Sequence, residues 1–200
     1  MLDPELEMLL RQRAKSELRK RMRALRNAIP GEARAARSEK IVERVRESPE
    51  FERARTVALF WPMLEKNEID VRELDQAARQ AGKVVGYPAL TENGMILACA
   101  EPSALEERGH GFAEPPESAP LLPIDAGLLV VVPALAVDPG GNRIGYGKGY
   151  YDWLLARIVP PAFALAVAYD FQVVAEIPTM TNDRAVGTVV TDRRSFRAQR

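Results

Sequence analysis

Two hundred residues, 46% hydrophobic and 28% charged, suit one domain long enough to bury a substantial core. Twenty-eight basic and 28 acidic residues cancel, so net charge gives no sign of polyanion binding, and no run of about 18 apolar residues marks a membrane span. The acidic opening MLDPELEMLL is unlike a secretion signal and the single Cys99 excludes an intramolecular disulfide, so a cytoplasmic protein without membrane or nucleic-acid partner is expected.

A basic helix is predicted over about 5–28. Between Arg11 and Arg26, spacings of four, four and three align Lys15, Arg19, Arg23 and Arg26 on one side, beside an apolar stripe of Leu18, Met22 and Leu25. A charged helix side is ordinarily solvated, and a nucleic-acid surface would need interleaved aromatics that this helix lacks. A second helix is expected from about Gly31 to Glu47, with Ile41, Val42 and Val45 inward and Ser48-Pro49 ending it. Next come a strand TVALFW, a helix from Val71 to Ala81 capped by Asp70 and stopped by Gly82, a strand KVVGYP, an Asn93-Gly94 turn and a strand MILACA. Cys99 sits among apolar residues there and is expected to be a buried structural thiol. Residues 101–125, rich in proline and glycine, read as a long loop over a site. A strand LLVVVP from Leu128, a glycine-rich stretch, a helix YYDWLLARI, a strand FALAVAY and a last strand VGTVVT complete the chain. Strands apolar on successive residues, separated by helices, imply a single-domain three-layer Rossmann-like α/β fold with a mostly parallel sheet over residues 1–200.

The glycine-rich stretch 143–152, RIGYGKGYYD, carries the most chemistry. Gly145, Gly147 and Gly149 surround Lys148 between a strand and a helix, an arrangement that turns backbone amides and a helix N-terminus toward an anion. Arg143 and Lys148 supply fixed positive charge. The common phosphate motifs do not fit: Asn142 stands where a P-loop has its first glycine, Gly149 where Ser or Thr follows the lysine, and Tyr150 where a dinucleotide fingerprint has its third glycine. The same glycines also suit a plain tight turn.

PALAVDPGGNRIGYGKGYYDWLL resembles the signature of the 5-formyltetrahydrofolate cyclo-ligase family, with its Asp-x-x-G step followed by R-x-G-x-G-x-G-Y-Y-D. KSELRKRMRALR is similar to the family's K-x-x-L-R helix, LFWPMLEKNEID to its strand and pterin-side Glu, and AYDFQVVAEIPTMTND to its closing Q-x-x-x-x-x-P and Asp. The resemblance implies a fold shared with sugar-phosphate isomerases and CoA transferases. It also implies ATP-driven ring closure: the formyl oxygen attacks the terminal phosphate, nitrogen 10 attacks the imidate phosphate, and phosphate leaves. That chemistry asks for positioning and charge stabilisation rather than an enzyme nucleophile.

By the same resemblance Lys15 and Arg19 reach the triphosphate, joined by Arg143, Gly145, Gly147, Lys148, Gly149 and Tyr150, with Arg143 and Lys148 as the catalytic cations. Asp152 is the first candidate for magnesium and Asp183 the second. A first-turn carboxylate serving the helix dipole also describes Asp152, and an ordinary turn describes Asp183. Glu68 matches the acid that takes the pterin's adjacent N–H donors, although its charged neighbours equally suit an exposed loop. Phe60, Met95 and Tyr151 match the walls of that pocket, where plain core packing is an open reading for Phe60 and Met95. Two positions depart from the pattern. His110 stands where relatives have a larger aromatic, either touching substrate or merely solvated, and Trp153 replaces an Arg after the YYD triplet, leaving the phosphate region one cation fewer. A monomer binding ATP and 5-formyltetrahydrofolate is expected, the alternative being a non-catalytic nucleotide- or RNA-binding relative on the same scaffold.

Overall fold

A computed structural model describes residues 3–199. Among the described residues five α-helices and eleven strands are formed: α1 Pro4–Asn27, α2 Gly31–Arg46, α3 Pro49–Arg53, β1 Thr56–Ala58, α4 Arg72–Gln80, β2 Val84–Thr91, β3 Gly94–Cys99, β4 Glu106–Glu107, β5 Ala113–Glu114, β6 Leu128–Pro133, β7 Ala136–Val137, β8 Arg143–Ile144, α5 Tyr150–Ile158, β9 Phe163–Val167, β10 Thr188–Val190 and β11 Ser195–Arg197. Seven strands make one sheet in the order β11-β10-β9-β6-β1-β2-β3. Its five inner strands are parallel, and both edges are antiparallel. The expected α/β architecture is therefore present, and the fully buried run Leu128–Val132 at the sheet centre accounts for the unbroken apolar pattern of β6.

Two buried clusters cover the sheet faces. One joins Ile41, Val42 and Val45 of α2 and Leu74 of α4 to Val57, Leu129 and Leu165. The other joins Leu154, Leu155 and Ile158 of α5 to Val130, Val132 and Ala166. Among the described residues no helix is long and apolar enough to cross a membrane.

Several expectations need correction. The second helix ends before Ser48-Pro49 as expected, but Ser48 also starts a new short helix by accepting from the Phe51 amide at 3.2 Å. Strand TVALFW leaves the ladder after Ala58, which frees Phe60 and Trp61 to turn toward a cleft. Asp70 lies one residue before the N-cap Val71 of α4, yet it still accepts from the Arg72 amide at 3.1 Å. Residues 101–125 are not featureless, since β4 and β5 pair within them. Cys99 is half-buried rather than buried. On α1, Leu25 of the expected apolar stripe is 41% exposed while Arg26 is 4% exposed. The face that packs inward runs through Lys15, Met22 and Arg26: Met22 joins Leu135, Ala136, Ile144 and Ile177 in an apolar cluster over β7 and β8, while Arg26 meets Tyr146 of the glycine loop.

Candidate functional site

From the sheet centre the chain winds from β1 to β2 on one side and from β6 to β9 and β10 on the other, which opens a crevice past the C-terminal ends of β1 and β6. A cleft of about 690 Å³ lies there. Its floor includes Phe60 and Trp61 after β1 and Ala134 and Leu135 after β6. Helix α1, the glycine loop and the tip of the β4–β5 hairpin form its rim.

The glycine loop is delivered by a braced turn. After β7, Asp138 accepts from the Asn142 amide (2.9 Å), the Asn142 side chain (3.0 Å) and the Ile177 amide (2.9 Å), closing the DPGGN segment. Gly141 has φ +78°, and a Cβ there would lie 2.4 Å from the Val186 carbonyl oxygen, so only glycine fits. Strand β8 then returns antiparallel to β7 and releases the loop into the cleft. Gly147 (φ +100°) and Gly149 (φ +74°) need glycine's left-handed freedom, and Gly149 caps α5 without a side chain, leaving that helix's first amides open toward solvent. Arg19 braces the loop from α1, its Nε donating to the Gly145 carbonyl at 3.0 Å with the guanidinium beside Gly147. Lys148 is exposed at the tip, and Tyr150 lines the cleft. Gly145, Gly147, Lys148 and Gly149 all line the cleft.

Two ion pairs flank the loop. Asp152 Oδ1 accepts from Arg143 Nη2 at 3.0 Å and from the Arg184 amide at 3.1 Å. Arg143 is 7% exposed, lies 5.6 Å from the Tyr151 ring centre, and keeps a buried Nε with no partner among the described residues. Burial pulls its pKa down, against the charges of Asp152, Tyr151 and Asp183. Asp183 Oδ2 accepts from the Met180 amide at 2.7 Å and from Lys15, which is buried. Arg143 and Lys15, expected as phosphate ligands, are thus each held by one of the two candidate metal carboxylates. Asp152 Oδ2 and Asp183 Oδ1 have no hydrogen-bond partner among the described residues. No group of three or more His, Cys, Asp or Glu that could hold a metal occurs among the described residues. Two carboxylate oxygens without partners among the described residues nevertheless suit a hard cation such as magnesium, which takes oxygen ligands and would need others besides these.

Across the cleft, Glu68 is 5% exposed, so the exposed-loop reading fails. Its Oε2 accepts from the Met63 amide at 2.8 Å and its Oε1 from the Tyr146 hydroxyl at 2.7 Å. Burial raises its pKa against those two donors and the charges of Arg26 and Lys66. Phe60 and Met95 belong to the two core clusters and also line the cleft, so packing and pocket are not alternatives for them. Tyr151 lines the cleft above Arg143. His110 is exposed but not merely solvated: its Nδ1 meets Glu114, a fully buried residue whose other oxygen accepts from the Leu90 amide at 2.7 Å and ties the hairpin to β2. Trp153 packs against Gly94 in the β2–β3 turn with Arg157 stacked on it at 3.5 Å. It does not line the cleft.

Two residues of the site escaped sequence reasoning: Arg26 resembled its solvated neighbours, and Tyr146 occupied an unspecified position between glycines. The Asp-x-x-G step of the signature is explained by the turn that Asp138 closes.

Comparison with known proteins adds the following. The model of the 5-formyltetrahydrofolate cyclo-ligase family matches residues 11–192. A Mycolicibacterium smegmatis protein named 5-formyltetrahydrofolate cyclo-ligase is 38% identical over 102 residues, 50% of this chain and 52% of that protein. The mouse protein of that name is 25% identical over 189 residues, 88% of this chain and 90% of the mouse protein. The NMR structure of 5,10-methenyltetrahydrofolate synthetase from Aquifex aeolicus superposes with a TM-score of 0.79 at 32% identity, covering 93% of each chain.

Proposed function

The chain belongs to the 5-formyltetrahydrofolate cyclo-ligase family, and from that membership we infer that it uses ATP to close 5-formyltetrahydrofolate into 5,10-methenyltetrahydrofolate, releasing ADP and phosphate. The observation that carries this reading is the cleft at the switch point, where an open glycine loop with two cations faces a buried carboxylate. The names borne by the relatives favour catalysis over a non-catalytic nucleotide- or RNA-binding role. We take the chain to act as one catalytic domain and a monomer.

In this reading Gly145, Gly147, Gly149 and Tyr150 wrap the phosphates, and Lys15 and Arg19 reach them from α1. Arg143 and Lys148 offset the charge that grows on the transferred phosphoryl group, which in a water-poor cleft is the larger part of the work. Asp152 and Asp183 would hold magnesium, which when bound neutralises triphosphate charge. Glu68 accepts from the pterin's N–H donors, between walls of Phe60, Met95 and Tyr151, with His110 at the hairpin tip closing over the ligand. Incubation with 5-formyltetrahydrofolate, ATP and magnesium should generate the methenyl chromophore. Folded protein that yields none, beside an active control enzyme, would remove the proposed reaction.

The two substrate sides should separate in binding. Lys15→Ala is expected to weaken ATP by roughly 1.5–3 kcal/mol, the scale of a hydrogen bond to a charged group, and to leave binary folate binding alone. Glu68→Gln should do the reverse, because its amide turns a donor toward donors. Separate calorimetric titrations check this, and a Glu68→Gln variant that binds folate normally would return Glu68 to a structural role.

A further inference from the structure

One side chain of the glycine loop reaches the opposite wall of the cleft. Tyr146 is an unspecified residue of the R-x-G-x-G-x-G-Y-Y-D pattern, so the family resemblance gives it no task. Its hydroxyl donates to Glu68 Oε1 at 2.7 Å and accepts from Arg26 Nη2 at 2.8 Å. Arg26 also lies 5.9 Å from the Tyr146 ring centre, as do Arg23 and Lys66 at 5.4 and 5.8 Å, so the ring is hemmed by cations. Burying a guanidinium is unfavourable unless its charge is matched. Arg26 is 4% exposed, lines the cleft and leaves its Nε without a partner among the described residues, yet makes no ion pair there. Its compensation is the charge of Glu68, carried through the tyrosine hydroxyl.

We propose that Arg26 and Tyr146 are positioning residues for the folate side: they hold the Glu68 carboxylate in place as an acceptor, so the segment that cradles phosphate also sets pterin recognition. This rests on the reading of Glu68 as the pterin acid. Without the hydroxyl, Glu68 would keep the Met63 amide at Oε2 and lose its partner at Oε1. The groups facing it are then Arg26 from α1, Lys66 and the Met63 amide from the turn after β1, and Tyr151 from α5. Burial already favours the protonated acid, and the tyrosine hydroxyl is one of the few groups opposing it. Its removal lets the acid take up a proton at higher pH, and a protonated Glu68 offers the pterin one acceptor fewer.

The test is calorimetric titration of 5-formyltetrahydrofolate, without nucleotide, from pH 5 to 9 into the wild type, Tyr146→Phe and Glu68→Gln. Ligand titrations are common to all three and cancel. Tyr146→Phe is expected to bind close to wild type at the alkaline end. Its loss of affinity on acidification should begin at higher pH, giving up to about tenfold weaker binding where the two curves separate. A Tyr146→Phe profile that superimposes on wild type, while Glu68→Gln still cripples binding, overturns the positioning role alone. Normal binding by Glu68→Gln removes the pterin role of Glu68, and this proposal with it. Should Tyr146→Phe fail to fold, Arg26→Met makes the same test: loss of the cation also favours protonated Glu68, so an unmoved profile again overturns the proposal.

Discussion

Arg143→Met is expected to lower turnover by roughly 10²–10³-fold while the protein melts no lower than wild type. The guanidinium is 7% exposed, and its Nε has no partner among the described residues, so the folded state already bears the desolvation of a charge that Asp152 only partly matches. Methionine of similar length fills the space without that penalty. Asp152 is better placed to stand alone, since its side chain is 23% exposed and keeps the Arg184 amide. What disappears is the preorganised cation proposed to meet charge growing on the transferred phosphoryl group. Steady-state formation of the methenyl chromophore beside a thermal melt checks both halves. Full activity would show that Arg143 serves only to hold Asp152.

Gly141→Ala should produce the largest stability loss of any single methyl addition to the loop region. The positive φ alone costs about 1–3 kcal/mol for a residue with a side chain. The Val186 carbonyl oxygen at 2.4 Å from the new Cβ is backbone and cannot rotate away, which adds to that cost. For a chain of this size each kcal/mol corresponds to about 2–4 °C in Tm. Gly82→Ala supplies the control, because its φ is similarly positive (+72°) but nothing lies within 4 Å. Calorimetry should place Gly141→Ala well below Gly82→Ala. Equal melting points would mean that the segment around Val186 yields to the methyl group.

Elements whose signal is local were legible in the sequence. The central strand β6 and helix α5 begin and end where apolar runs and glycine punctuation put them, and α2 buries the residues that helical spacing selects. Local signals fail where tertiary contact decides. Trp61 continues an apolar run but lines the cleft, since the ladder to β2 and β6 stops at Ala58. The β4–β5 hairpin is held by a buried Glu114 that answers a backbone amide on β2, and no propensity of residues 101–125 encodes that anchor. The candidate site divides in the same way. Its glycines and cations stand out as a string, whereas the Lys15–Asp183 pair joins residues 168 apart and Glu68 becomes a buried group only when Tyr146 and Met63 close on it. Residue type announced charge, and folding alone determined its partner.

The seating of α1 has a consequence for how the molecule is made. Its contacts to the site reach forward by 120 residues (Arg26 to Tyr146), 126 (Arg19 to Gly145) and 168 (Lys15 to Asp183). This helix is synthesised before the surfaces it docks on, which lie 120 or more residues further along the chain. Such long loops close slowly, and domains synthesised in order assemble around whatever is already available. Sheet formation is therefore expected to precede the docking of α1. In refolding experiments the far-ultraviolet signal is expected to recover before activity does, with catalytic competence arriving as the last event of maturation.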